Sequence, residues 1–314
     1  STELCFVAFC AFTLIIIFAG VQNGIERVSK IMMPILIVLS VIIAVYSVTR
    51  PGALAGVKYF LVPNVKNFSW MTVVSAMGQM FYSLSIAMGI LITFGSYMKK
   101  DTAIEDSTRN VEIFDTGIAI MAGLMIIPAV FAFSGGDPDT LQAGPSLMFI
   151  TIPKVFQNMG FGTVIGIVFF LLVLFAAVTS SIALTESAVS TFEDELGWGR
   201  KKATVLVGVI MLALGSLSSL GYGPLAGIKI IGMQFLDLFD FLTNSVMMPI
   251  AALLTSLFVS RVVGIDKIEA EIIHGESAFR RKKVFVVMIK YLCPVFAIII
   301  LLSSVANALG WIKM

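Results

Sequence analysis

Charge is scarce in this chain. Only 13% of its 314 residues are Asp, Glu, Lys or Arg, and 58% are hydrophobic. A soluble domain carries roughly a quarter charged residues and about half apolar ones. Histidine is nearly absent, and His274 lies in a basic loop far from any buried serine, so a serine hydrolase within the membrane has no general base. Cys5, Cys10 and Cys293 are odd in number and scattered through apolar runs, with no CxxC or Cys/His spacing. That argues against zinc and against a disulfide framework and leaves packed or lipid-facing thiols. No glycine-rich phosphate loop, heptad pattern, low-complexity tract or short-period repeat is present. The first residue is Ser1 and no basic leader precedes the first apolar run, which is too long for a signal-peptide core. It reads as a true span at the start of an incomplete chain.

What the sequence has in abundance is long uncharged stretches. Eight are long enough to matter: 4–25, 31–49, 67–98, 116–136, 155–185, 203–228, 241–260 and 291–312. A helix needs about 20 mostly apolar residues to cross the hydrocarbon core. Eight such runs exclude a soluble enzyme, a secreted disulfide scaffold and a nucleic-acid reader. They predict an all-α, multi-pass membrane protein folded as one unit.

Orientation follows the Lys/Arg content of short loops. One set of connections carries Arg27, Lys30, Lys99, Lys100, Arg109, Arg200, Lys201, Lys202, Arg261, Lys267, Arg280, Arg281, Lys282 and Lys283, fourteen cations in all. The opposite set has six: Arg50, Lys58, Lys66, Lys154, Lys229 and Lys313. The first set is therefore expected in the cytoplasm of a cell (inner or plasma) membrane, with the C-terminus outside. Residues 49–70 form a long outer loop with Trp70 at a membrane interface. Residues 134–160 open with Ser134-Gly135-Gly136-Asp137 and continue into an amphipathic stretch from Leu147 to Phe156. That pattern fits a helical hairpin acting as an outer lid, and fits equally a surface helix with no gating role. The fifth run is predicted to continue through Phe192–Leu196 as a long helix.

Polar residues inside the runs are the functional candidates. Gly78–Gly89 sets Gln79, Ser83 and Ser85 among glycines near the middle of a span. An unwound turn there would free backbone carbonyls as ligands, tolerated only where the backbone is buried or lines a cavity. A small-residue packing face accounts for the same residues. Ala176, Thr179 and Ser180 fall at i, i+3 and i+4 and share one helical face. Two hydroxyls and a carbonyl are hard oxygen donors, suited to an alkali cation; hydroxyls bonded back to their own helix are the alternative. Asp115 immediately precedes the fourth run, just inside the fourth span, where a carboxylate is costly without a cation, proton or water. Asp237, Asp240, Glu186 and Asp194 lie at run margins, as solvated acids or as gate partners for arginines.

The stretch Gly78-Gln79 through Ser83-Leu84-Ser85 to Gly89, followed by Thr93-Phe94-Gly95-Ser96-Tyr97-Met98-Lys99-Lys100-Asp101, resembles the neurotransmitter:sodium symporter family. Further stretches agree in order: Gly24–Pro34, Ile127–Phe133, Gly144–Phe149, Ala176–Ser181 and Phe239–Thr243. The likeness covers essentially the whole chain and is nearest to bacterial members with eleven spans. It implies the leucine-transporter inverted-repeat fold, of which this family is a standard instance, with substrate and sodium at the midplane between broken helices. The eight runs resemble spans four to eleven, so the first three spans are absent. Residues 4–48 would end the first repeat, 67–261 would form the second with the lid 134–160, and 284–312 would be an extra C-terminal span.

By that resemblance, Ser83 and Asp115 are side-chain ligands of a first sodium ion (Na+), and the Ala176 carbonyl, Thr179 and Ser180 form a second sodium site. Asp115 stands where the family often has Asn, and Ala119 where chloride-dependent members have Ser, so the Asp115 carboxylate is expected to replace chloride. Tyr82, Ser83, Ser85, Met88, Ser180 and Leu184 would meet the substrate. Tyr82 replaces a commoner Phe, and Ala87 a usual Gly. Asp240 resembles the outer-gate acid; Tyr97 and Asp194 resemble the inner gate. The partners implied are a small neutral or hydrophobic amino acid, sodium ions and the lipid bilayer, with no nucleic acid. The resemblance implies sodium-coupled, chloride-independent symport and no enzymatic activity. The competing reading is a truncated membrane fragment that transports nothing without the missing N-terminal spans. A channel would need a ring of charges or a filter motif, and neither appears.

Overall fold

The computed structural model describes residues 2–65, 68–134, 147–157, 160–276, 278–308 and 311. The described residues are helical throughout, apart from turns and one isolated bridge between Ile230 and Met233. In chain order the helices are α1 (Thr2–Phe18), α2 (Val21–Val48), α3 (Ala53–Leu61), α4 (Trp70–Ser83), α5 (Ile90–Ser96) and α6 (Ile104–Ser134). They continue as α7 (Leu147–Gln157), α8 (Gly162–Leu196), α9 (Arg200–Gly221), α10 (Phe235–Val263), α11 (Ile265–Gly275) and α12 (Lys282–Ala308).

Six of these are long and apolar enough to cross a membrane: α2, α6, α8, α9, α10 and α12. The other two apolar runs resolve differently. Run 4–25 divides at Ala19 and Gly20, where φ of +87° at Gly20 turns the chain; its tail, from Val21, is the widened first turn of α2. Arg27 and Lys30 thus lie within α2 rather than in a connection. Run 67–98 is two helices, α4 and α5, with a break between them. The long helix through the fifth run is present and ends at Leu196. The amphipathic stretch is present as α7, burying Ile152, Val155 and Phe156. The rest of the expected lid, 135–146 and 158–159, lies outside the described residues, as do Lys66 and Lys313.

The chain divides into two compact units. One comprises 21–68 and 113–181. Its core joins α2, α6, α7 and the first part of α8 through Ile43, Ala129, Val130, Val155, Phe156 and Phe169. The short α3 lies tightly on α6, because a Cβ at Gly56 would come within 2.8 Å of the Pro128 backbone. Ser47 adds a buried hydrogen bond, donated to the Met125 carbonyl at 2.7 Å.

The other unit comprises 1–20, 69–112 and 182–314. Here α1 runs along α9. Gly208 and Gly215, seven residues apart on α9, leave room for Leu14 and Phe6; a Cβ at either would collide with those side chains. Small residues permit close helix approach where lipid offers no hydrophobic drive for association. Both α4 and α10 pack on α12.

Candidate functional site

The break between α4 and α5 is built by local chemistry. Helix α4 starts with a capping box: the Ser69 hydroxyl accepts from the Thr72 N–H, and the Thr72 hydroxyl accepts from the Ser69 N–H, both at 3.3 Å. The helix then runs to Ser83 and stops without a proline. Over 84–89 the ladder gives way to turns, with Ser85 N–H bonded to the Tyr82 carbonyl and Ile86 N–H to the Phe81 carbonyl, each at 3.0 Å. Ser85 (φ 54°) and Ala87 (φ 63°) are left-handed, a conformation that disfavours any side chain. Gly89 follows at φ +78° and begins the approach to α5. Ala87, where the resembling family usually has Gly, therefore does not restore the helix.

Within the same unit, α8 presents Ser187 to this break. A Cβ on Gly89 would lie 2.6 Å from the Ser187 hydroxyl, so a larger residue there would have to displace that side chain. The Ser187 hydroxyl also donates to the Met88 carbonyl and accepts from Thr93, both at 3.5 Å. Tyr82 and Ser83 are exposed, and Ser85 and Met88 half-buried. Leu184, three residues before Ser187 on α8, is exposed.

The other unit carries Asp115, Ala176, Thr179 and Ser180. Asp115 is half-buried in α6. Thr179 donates to the Phe175 carbonyl at 3.1 Å and to the Ala176 carbonyl at 3.0 Å. This is the back-bonding anticipated as the alternative role. It uses the hydroxyl proton and leaves the oxygen lone pairs, which are what a cation needs. Ser180 is exposed beside it.

A buried charge cluster lies at the far end of α5. Glu186 on α8 is fully buried, and Arg200 at the start of α9 grips both its oxygens, Nη1 to Oε1 at 3.0 Å and Nη2 to Oε2 at 2.5 Å. Such a bidentate fork is the strong form of the contact. The Tyr97 hydroxyl donates to Glu186 Oε1 at 2.7 Å. Arg200 also reaches Glu193 at 3.4 Å and donates from Nε to the Ile17 carbonyl at 3.0 Å, near the end of α1 where carbonyls lack helical partners. Tyr97 is therefore tied to Glu186, while Asp194 is exposed and makes no salt bridge among the described residues. Asp240 is also exposed, accepting from the Asn244 amide at 2.5 Å. The sequence left Glu186 as a solvated acid or a partner for an arginine, and the structure buries it against Arg200. Its signal was positional: α8 ends at Leu196, Gly197 turns the chain at φ +61°, and Arg200 opens the returning helix.

A profile described as the Sodium:neurotransmitter symporter family matches residues 2–311. The chain belongs to that family. Its members are symporters, not enzymes, and their helices span the membrane many times, in line with the six long apolar helices here. An uncharacterized sodium-dependent transporter of Bacillus subtilis, YhdH, is 34% identical over 300 residues, covering 95% of this chain and 66% of the relative. A second, from Haemophilus influenzae, is 31% identical over 292 residues, covering 92% of this chain and 62% of the relative. The crystal structure of MhsT in complex with L-phenylalanine superposes with a TM-score of 0.82 at 35% identity, over 95% of this chain and 66% of that one. The symporter fold anticipated from the sequence is thus borne out. The chain spans slightly less than two thirds of the length of these relatives.

Proposed function

We propose that this chain is the greater part of a sodium-coupled symporter for a neutral, hydrophobic amino acid. The observation that carries the proposal is the break at 84–89, an interrupted helix inside an apolar run, held in left-handed turns by residues other than glycine. Irregular backbone at membrane depth is tolerated only where protein or a cavity satisfies it, and in this family's architecture such breaks bind ions and substrate. That the related MhsT was crystallised with L-phenylalanine supports a hydrophobic amino acid.

In this reading Tyr82, Ser83, Ser85, Met88, Ser180 and Leu184 face the substrate. Ser83 and Asp115 hold one sodium ion; the Ala176 carbonyl, Thr179 and Ser180 hold the other. The Asp115 carboxylate supplies the negative charge that chloride supplies elsewhere, so transport proceeds without chloride. Asp240 closes the outer side. Tyr97 closes the cytoplasmic side, with Asp194 as the acid nearby, and the C-terminus lies outside. Sodium in an oxygen cage fixes the broken helix in its substrate-binding state, and the coupling is reciprocal.

The test is uptake of a panel of amino acids by the full-length protein in proteoliposomes, with sodium or potassium outside and with chloride replaced by gluconate. Uptake of hydrophobic amino acids is expected to need sodium, to persist in gluconate, and to vanish in the Thr179→Ala, Ser180→Ala double variant. Uptake that survives the double variant removes the second sodium site; uptake that stops in gluconate removes the role given to Asp115.

A further inference from the structure

Helices α1 and α9 run in opposite directions: Ile17 meets Arg200 at one end, and Glu3 meets Ser216 at the other. The Ser216 hydroxyl donates to Glu3 Oε1 at 2.5 Å. Glu3 is half-buried as a residue, but its second oxygen, Oε2, is enclosed by protein and has no hydrogen-bond partner among the described residues. The Ser219 hydroxyl is enclosed and without a partner in the same way. Ser216 and Ser219 are three residues apart and share one face of α9. Arg200 neutralises Glu186, whereas no salt bridge reaches Glu3 among the described residues.

Ser219 lies in the last turn of α9, where carbonyls lack helical partners and the helix dipole is negative. A bare carboxylate there meets repulsion as well as desolvation. Three occupants would answer this in different ways. A proton on Glu3 cancels the charge, but Glu3 and Ser219 do not hydrogen-bond to each other, so both oxygens stay unmatched. A water molecule bridges oxygens and leaves the charge in place. Stranding a buried charge costs more than leaving one polar group unbonded, which decides against water alone. A monovalent cation does both tasks: it cancels one carboxylate and touches oxygens too far apart for a direct hydrogen bond. A divalent ion would exchange a net negative charge for a net positive one. Carboxylate and hydroxyl oxygens are hard donors, suited to an alkali cation.

We infer that Glu3, Ser216 and Ser219 hold an alkali cation between α1 and α9, at a site separate from the two sodium sites of the transport reading. The Ser216 oxygen gives its proton to Glu3 and keeps its lone pairs for the ion. The ion does for Glu3 what Arg200 does for Glu186, and it joins the end of the helix pair that no protein cation joins.

The test is thermal unfolding of the purified full-length protein in choline chloride and in lithium, sodium, potassium and rubidium chlorides at one ionic strength. At least one alkali ion is expected to raise the midpoint of the wild type by several degrees more than that of Glu3→Gln. In choline the variant is expected to be no less stable than the wild type, because it strands no charge. Ions at the transport sites act on both proteins alike and cancel in the comparison, so a protein that transports nothing leaves the test intact. Ser219→Ala probes the site without touching the acid; it is expected to need about tenfold more of the same ion for half of the rise. Infrared spectra read the acid itself. A carboxylate band that shifts from ion to ion and is missing in Glu3→Gln supports the site. A protonated Glu3 in every salt overturns it, and so do equal midpoint rises in wild type and Glu3→Gln with every ion. Sodium-dependent uptake is expected to persist in Glu3→Gln, and its loss would overturn the separation from the transport sites.

Discussion

Glu186 and Asp240 both stand at the margin of an apolar run, yet the fold treats them differently. Glu186 is fully buried, forked by Arg200 and bonded to Tyr97. Asp240 is exposed, with Asn244 one turn along its own helix as partner. A buried carboxylate without a cation costs several kcal/mol, so Glu186 and Arg200 stand or fall together. An exposed acid carries no such obligation and is free to meet a partner that comes and goes. The same residue class thus serves as a fixed structural anchor at one position and as an available contact at the other.

The strongest way to break this contrast is Arg200→Ala. It strands the Glu186 charge and is expected to cost about 3–5 kcal/mol, seen as a large fall in the thermal unfolding midpoint of the purified protein. Tyr97→Phe removes one hydrogen bond to a charged oxygen. Because Tyr97 is partly exposed, the loss should sit near the lower end of the usual range, about 1–2 kcal/mol. Asp240→Asn should change stability by less than about 0.5 kcal/mol, as surface substitutions do, while reducing amino-acid uptake if Asp240 serves as the outer-gate acid. A midpoint that falls as far for Asp240→Asn as for Arg200→Ala would erase the distinction.

Much of the fold was legible because membrane helices announce themselves. Uncharged runs predicted an all-helical chain, and the helix of the fifth run continues past its last uncharged residue through Phe192–Leu196, as expected. The break at 84–89 was harder to read, since Ser and Gly at close spacing serve packing faces and unwound turns alike; left-handed Ser85 and Ala87 distinguish the two. The divide at Gly20 was hidden because no charge or proline marks it. Long-range pairs were the least legible. Nothing in sequence spacing links Glu3 to Ser216, or tells a buried Glu186 from a solvated one, because both depend on which helices lie side by side. Periodicity placed Thr179 and Ser180 on one helical face, and the Thr179 hydroxyl bonds back to the Phe175 and Ala176 carbonyls of its own helix.

The most direct measurement of the central claim is equilibrium binding of a hydrophobic amino acid to the full-length protein as a function of sodium. The account predicts that sodium tightens amino-acid binding and that the amino acid tightens sodium binding by the same factor, as linkage requires. Equal amino-acid affinity in sodium and in potassium would contradict it.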